Sequence, residues 1–361
     1  FLIIPTNIAP HKAAAAGSPD AEARLQMCRL AFAGIPGAEV SQMEMEREGK
    51  SYTADTISIL REKYPEDELY LVVGTDMFLS FREWHEYKYL LDNCTLAVLS
   101  RETDDRGEIL SFKRSLENED GARIRLIEHE PLPMSSAEIR AMLPKAGGAE
   151  LLDDGVYSLI IKNRWYAAKP ELRWLREKVR PYLTEKRARH VAGCEEQAVK
   201  LAQRWGADVY EAAEAGILHD ITKKLSDEEQ LIMCDKYGII LDAAERRNPR
   251  ILHARTGAAL ARELFGIPDG IYSAIRWHTT GKPDMSLMEK IIYLADFTEP
   301  TRDFEGVEPL RKLCFEDIDR AMELGLRMSL EEIRSRGEDA YKDTVDAYQW
   351  YKKEQGGSAT C

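Results

Sequence analysis

Cysteine is sparse and scattered along these 361 residues: Cys28, Cys94, Cys194, Cys234, Cys314 and Cys361 stand far apart, with no C-x-x-C pair. Such spacing offers neither a disulfide framework nor a zinc knuckle, and it fits a reduced, cytoplasmic home. Long apolar runs are missing as well. None approaches the roughly 18 residues of a membrane span, so no membrane partner is expected. Positive charge is outweighed, 50 Lys and Arg against 63 Asp and Glu, for a net charge of −13. A broad nucleic-acid surface needs a basic face, so nucleic acid is not an expected partner, although a locally basic pocket still suits a small anion.

What is present is an ordinary globular composition, 44% hydrophobic and 31% charged, and enough length for two domains. Phe1 to Pro5 reads as a buried strand without the charged leader of a signal peptide, so the chain is expected to begin inside a domain. Histidine is scarce, only seven, and four of the seven fall between positions 190 and 278. His219 is followed at once by Asp220, where an apolar helical pattern (Ala212, Ala215, Leu218) runs out into charged residues. That pair puts an imidazole and a carboxylate within reach of one cation.

With His190, His253, His278 and Asp296 the set becomes four imidazoles and two carboxylates, each on its own expected helix. These donors suit borderline divalent metals, Fe(II), Mn(II), Co(II) or Zn(II), better than calcium. Six ligands exceed one tetrahedral ion, which favours two ions sharing Asp220. Lys223, a turn beyond His219, and Arg302 are candidates to neutralise phosphate charge. Each has a plain alternative: His253 a core histidine, Asp296 a polar helix end, Lys223 and Lys224 a solvated turn. The residues alone point to metal-assisted hydrolysis of phosphoesters or phosphoanhydrides.

The order His, His-Asp, His, His, Asp resembles the HD superfamily of metal-dependent phosphohydrolases. The phrases Arg276-Trp277-His278-Thr279-Thr280-Gly281 and Ala295-Asp296-Phe297-Thr298-Glu299-Pro300-Thr301-Arg302 are similar to its YqeK type. The resemblance covers residue 170 onward. It implies an all-α domain, iron as the favoured metal, and symmetrical cleavage of diadenosine tetraphosphate to two ADP. Helices are expected at 171–183, 187–205, 209–219, 226–236, 251–265, 269–277, 285–299, 316–334 and 338–353.

In the first half, apolar strands at 1–5, 40–45, 69–73 and 95–99 alternate with helices from about 18, after 53 and at about 78–91. That alternation points to a parallel sheet covered on both faces, with ligands beyond the carboxyl ends of its strands. Thr6 to Lys12, Gly74-Thr75-Asp76 and Ser100-Arg101 lie there. Ser135 and Glu138 have capping-box spacing, so Ser135, Ser136 and Arg140 read either as a phosphate cradle or as an ordinary capped helix.

Together with Ser51-Tyr52-Thr53-Ala54-Asp55-Thr56 and Glu83-Trp84-His85, these segments resemble bacterial nicotinate-mononucleotide adenylyltransferases from residue 1 to about 167. The resemblance implies a Rossmann-like nucleotidyltransferase domain that lacks its first strand. Tyr52, Thr53 and Trp84 would hold the nicotinate of nicotinate mononucleotide, and Asp76 would meet a ribose hydroxyl. Ser135, Ser136 and Arg140 would grip the triphosphate of ATP with its Mg, with His11, Lys12 and Arg101 near the phosphates. The family's opening phrase G-G-[ST]-F-D-P-x-H-x-G-H is absent, and no H-x-G-H occurs elsewhere. Losing those phosphate-facing donors predicts that this chain forms no nicotinate adenine dinucleotide.

The expected plan is therefore an adenylyltransferase-like domain at 1–168, an HD domain at 169–355 and a disordered tail at 356–361. Its small-molecule partners are ATP, nicotinate mononucleotide and dinucleoside polyphosphates, and a homo-oligomer is compatible with it. The rivals are an HD phosphohydrolase of mononucleotides or guanosine tetraphosphate, and an adenylate-sensing regulatory module with a structural metal.

Overall fold

The computed structural model describes residues 1–8, 17–99, 106–127, 134–242, 245–246 and 248–357. The chain divides into two compact units, Phe1–Leu159 with Trp165–Ala167, and Ile160–Arg164 with Ala168–Cys361.

The first unit is α/β with parallel strands. Strands β1 (Leu2–Ile3) and β2 (Glu39–Val40) pair with each other, and β3 (Tyr70–Gly74), β4 (Thr95–Leu99) and β5 (Ile124–Ile127) form a second sheet in that order. Only β4 is buried along most of its length, as the central strand of a covered sheet must be. Helices α1 (Ala21–Phe32), α2 (Thr53–Lys63), α3 (Thr75–Leu79), α4 (Tyr87–Asn93), α5 (Arg106–Asp120) and α6 (Ser136–Met142) intervene, and α7 (Asp154–Asn163) begins in this unit and ends in the second. Phe78, Phe81, Leu90, Leu96, Val98 and Leu116 centre the core between them.

Three expectations change. The strand expected at 40–45 stops at Val40, because the chain turns at 43–46 and buries Glu44, whose carboxylate accepts from Thr56 Oγ1 at 2.7 Å. The helix expected at 78–91 is broken: α3 ends, Phe81–Glu83 forms a 3₁₀ turn, Trp84 is extended and Glu86 adopts φ 52° before α4 begins. Helix α5 and strand β5 arise in a stretch whose pattern suggested neither. The buried positions of α5, Ile109 and Leu116, lie two turns apart among charges.

The second unit is all-α apart from the 3₁₀ turns at Arg180–Tyr182 and Pro249–Ile251. It comprises α8 (Leu172–Val179), α9 (Glu185–Trp205), α10 (Val209–Leu218), α11 (Asp227–Lys236), α12 (Leu252–Phe265), α13 (Asp269–Trp277), α14 (Leu287–Thr298), α15 (Val307–Glu316), α16 (Ile318–Ser335) and α17 (Lys342–Gly357). Their starts are written locally. Thr184, Asp208, Ser226 and Ser286 accept backbone N–H groups at the N-caps, the two serines in full capping boxes with Glu229 and Glu289. Helix α15 escaped expectation because Pro309 looks like a breaker, yet it lies in the first turn, where no N–H is needed. Helix α17 runs to Gly357, two residues into the expected tail; 358–361 lie outside the described residues. No described helix is long and apolar enough to cross a membrane.

Candidate metal centre

Helix α10 is buried from Ala212 to Leu218 and packs against α9. A Cβ at Gly216 would lie 2.8 Å from Glu195 Cα, so only glycine permits this approach. The approach sets His219, the C-cap of α10, beside His190 on α9. His253 occupies the first turn of α12, His278 caps the end of α13, and Asp296 lies near the end of α14.

These six side chains converge. His190 Nε2 stands 3.0 Å from Asp296 Oδ1 and 3.2 Å from His219 Nε2. His253 Nε2 stands 3.2 Å from His278 Nε2. Asp220 joins the pairs: Oδ2 lies 3.5 Å from both His190 and His219, while Oδ1 lies 3.4 Å from His253 and 3.8 Å from His278. His219, His253 and His278 each place Nδ1 against the carbonyl three residues back, Gly216, Arg250 and Ile275, at 2.8, 2.7 and 2.6 Å. With Nδ1–H donating there, every Nε2 presents a lone pair to the centre.

Two lone pairs 3.2 Å apart repel unless a cation lies between them. Donors ~2.1 Å from one ion and a right angle apart would be separated by about 3.0 Å, so the spacing fits a coordination sphere. His190, His219 and Asp296 form one group compatible with a metal ion, and His219, Asp220 and His278 another.

The electrostatics agree. Burial, reinforced by Lys223, holds the His253 imidazole well below its usual value. Burial and the neighbouring His219 push His278 down to about 4. Burial opposes ionisation of Asp220, yet His219, His253 and Arg187 hold it well below the usual carboxylate range. Asp296 is likewise lowered against its burial by His190 and Arg302. His219 goes the other way: burial disfavours its charge, but Cys194 and Asp220 outweigh that and raise it well above normal. A metal-free centre thus draws a proton to where a cation belongs.

Around this core, Lys223 is largely buried, with Nζ 3.2 Å from His253 Nδ1, whereas Lys224 is exposed. Burial lowers the Lys223 ammonium pKa. Arg302 donates to Asp296 Oδ1 at 2.6 Å and to its carbonyl at 2.9 Å. A cavity of about 630 Å³ opens beside the cluster, lined by Lys223, His278, Asp296 and Arg302 together with Phe297, Phe304 and Tyr341. Two residues escaped the sequence. Arg187 donates to Asp220 Oδ2 at 2.7 Å, signalled only by its place one turn before His190. Glu299 is buried beside His190, and only that contact across the fold sets it apart from the other carboxylates.

The first unit's candidates are more dispersed. Tyr52 and Thr53 begin α2, and the Tyr52 ring lies 4.3 Å from that of His85. Trp84 is half-buried, with its ring 5.0 Å from Phe81. Asp76 is exposed in the first turn of α3, just past the carboxyl end of β3. Ser135 caps α6 in a capping box with Glu138, Ser136 is its first residue, and Arg140 lies in its last turn. His11, Lys12 and Arg101 lie outside the described residues.

Comparison with known proteins identifies the families to which the two halves are similar. Residues 187–301, which include all six converging side chains, match the HD domain family. The symmetrical bis(5'-nucleosyl)-tetraphosphatase of Bacillus subtilis is 38% identical over 176 residues, 48% of this chain and 92% of that protein. The probable nicotinate-nucleotide adenylyltransferase of Pelobacter propionicus is 39% identical over 155 residues, 39% of this chain and 71% of that one. A Mycoplasma genitalium protein, a probable nicotinate-nucleotide adenylyltransferase/Ap4A hydrolase, is 25% identical over 311 residues, 84% of this chain and 82% of its own length. The chain therefore belongs to the nicotinate-nucleotide adenylyltransferase family in its first half and to the HD-type symmetrical bis(5'-nucleosyl)-tetraphosphatase family in its second.

Proposed function

We infer that this is a bifunctional nucleotide enzyme. Residues 169–355 form a hydrolase that splits diadenosine tetraphosphate into two ADP. Residues 1–168 form a Rossmann-like nucleotidyltransferase domain of the type that binds nicotinate mononucleotide and ATP, with its Mg, the two substrates of adenylyl transfer. The observation that carries the hydrolase reading is Asp220, whose two carboxylate oxygens face two separate pairs of imidazole Nε2 atoms.

His190, His219 and Asp296 would hold one divalent ion, His253 and His278 a second, with Asp220 shared; iron is favoured, and Mn, Co or Zn also suit the donors. When bound, such ions supply Lewis acidity and make water more acidic. Lys223 lines the cavity, so it is placed to neutralise the tetraphosphate. Arg302 keeps Asp296 oriented and exposes the rest of its guanidinium to the same cavity. One water is consumed, the central P–O–P bond breaks, and each half leaves as ADP.

Purified protein supplied with Mn(II) or Fe(II) and diadenosine tetraphosphate tests this by chromatography of the products. ADP alone is expected. ATP with AMP would mean asymmetric cleavage, turnover of only mononucleotides or guanosine tetraphosphate a different phosphohydrolase, and no turnover at all a regulatory module. For the first unit, nicotinate mononucleotide is expected to quench tryptophan emission in the parent, and Trp84→Phe to remove most of that change.

A further inference from the structure

We propose that Glu299 is a positioning residue of the metal centre, fixing the tautomer and aim of His190 and so strengthening the His190, His219 and Asp296 position. The proposal rests on reading the six-residue cluster as a metal centre, not on the identity of the substrate. Three of the four histidines donate Nδ1–H to a carbonyl three residues back, a partner that comes with the local backbone. His190 does not. Its Nδ1 lies 3.0 Å from Glu299 Oε1, a carboxylate from the far end of another helix, 109 residues away.

Glu299 is fully buried, and an unpaired carboxylate there would be strongly destabilising. It is not unpaired. The Thr301 hydroxyl donates to Oε1 at 2.5 Å and the Thr301 N–H donates to Oε2 at 2.6 Å. Space is reserved for it too: a Cβ at Gly193, one turn after His190 on α9, would collide with Glu299 Oε2. Glu299 caps the end of α14, three residues after Asp296, so one helix end delivers both an ion-facing carboxylate and the carboxylate that orients a neighbouring imidazole.

The chemistry follows. A carboxylate accepting Nδ1–H keeps the Nε2 lone pair of His190 on the side of Asp296 and His219, and it makes that nitrogen a better donor than one tied to a neutral carbonyl. The position containing His190 should be the tighter of the two.

The test uses the full chain with E299Q and T301V. Glutamine keeps the shape but loses the charge, and its single oxygen cannot accept both at the Oε1 position, facing His190 and the Thr301 hydroxyl, and at the Oε2 position, facing the Thr301 N–H. Affinity for Mn(II) and Co(II) is measured by competition with a chromogenic chelator, beside the Co(II) absorption spectrum and the metal-free melting temperature. E299Q is expected to weaken the tighter site ~10–100-fold and alter the Co(II) spectrum, with a smaller loss in T301V. A folded E299Q with parental affinity and spectrum overturns the proposal. If E299Q does not fold, parental affinity in T301V overturns it instead. A parent chain that binds neither ion refutes the metal-centre reading itself, a distinguishable result.

Discussion

The two units hold their polar candidates differently. In the helical unit His190, His219, Asp220, His253 and His278 are all buried, and four helices, α9, α10, α12 and α13, bring them to one point. In the α/β unit Asp76, Ser135 and Ser136 are exposed at helix starts, and Tyr52 and Trp84 are half-buried at breaks in the chain. A site for compact, highly charged ions needs its ligands held in place beforehand by the surrounding fold, which burial and contacts across helices supply. Sites for extended nucleotides at helix N-termini need only N–H groups and space.

The sharpest way to break the comparison is Asp220→Ala. It removes the shared carboxylate and is expected to lower diadenosine tetraphosphate hydrolysis by on the order of 10³-fold or more, several kcal/mol of lost transition-state stabilisation. Nicotinate mononucleotide quenching of the first unit should not change. Steady-state assays and fluorescence titration on the same preparation check both halves.

Metal removal comes next. A site loaded at 100 times its dissociation constant contributes about 2.7 kcal/mol to folding. Stripping with a chelator should therefore lower the helical unit's calorimetric transition by roughly 5–10 °C. The α/β transition should stay where it is; movement of both would mean the units do not melt separately.

Acidity offers a finer probe. His219 is raised well above its usual value by Cys194 and Asp220, so without an ion it keeps a proton to higher pH than a free imidazole would, and an incoming ion must displace it. Affinity should accordingly fall about tenfold per pH unit as pH drops below that raised value, the slope of one displaced proton. Burial lowers His253 and His278 instead, His278 to about 4, so neither adds a competing proton near neutrality. Calorimetric titrations in buffers of different ionisation enthalpy count the released proton. The smallest effect belongs to Ser135→Ala, which loses an exposed cap worth ~1 kcal/mol and should leave hydrolysis untouched.

Legibility in the sequence followed the same divide. The order of the six residues was readable because His219, His253 and His278 lie at helix ends and His190 in the second turn of α9, so spacing along the chain translated into convergence. Arg187 and Glu299 were not readable: a charged residue among many acquires meaning only from what it touches across the fold. In the first half, strands were expected at 1–5 and 40–45, but β1 and β2 keep only two residues each, a length that no sequence period sets. The break after α3 depends on Trp84 leaving the helix and Glu86 taking a left-handed conformation, which residue type alone does not announce.

Gly216 has a practical meaning for anyone wishing to transplant this centre. Since a single added carbon would press on the Cα of Glu195, the separation of His190 from His219 is dictated by how closely two backbones can lie. A recipient scaffold given the same six side chains on helices spaced by ordinary alanines or leucines would own the ingredients and miss the geometry. The quantity to copy is the crossing, and the histidines follow from it.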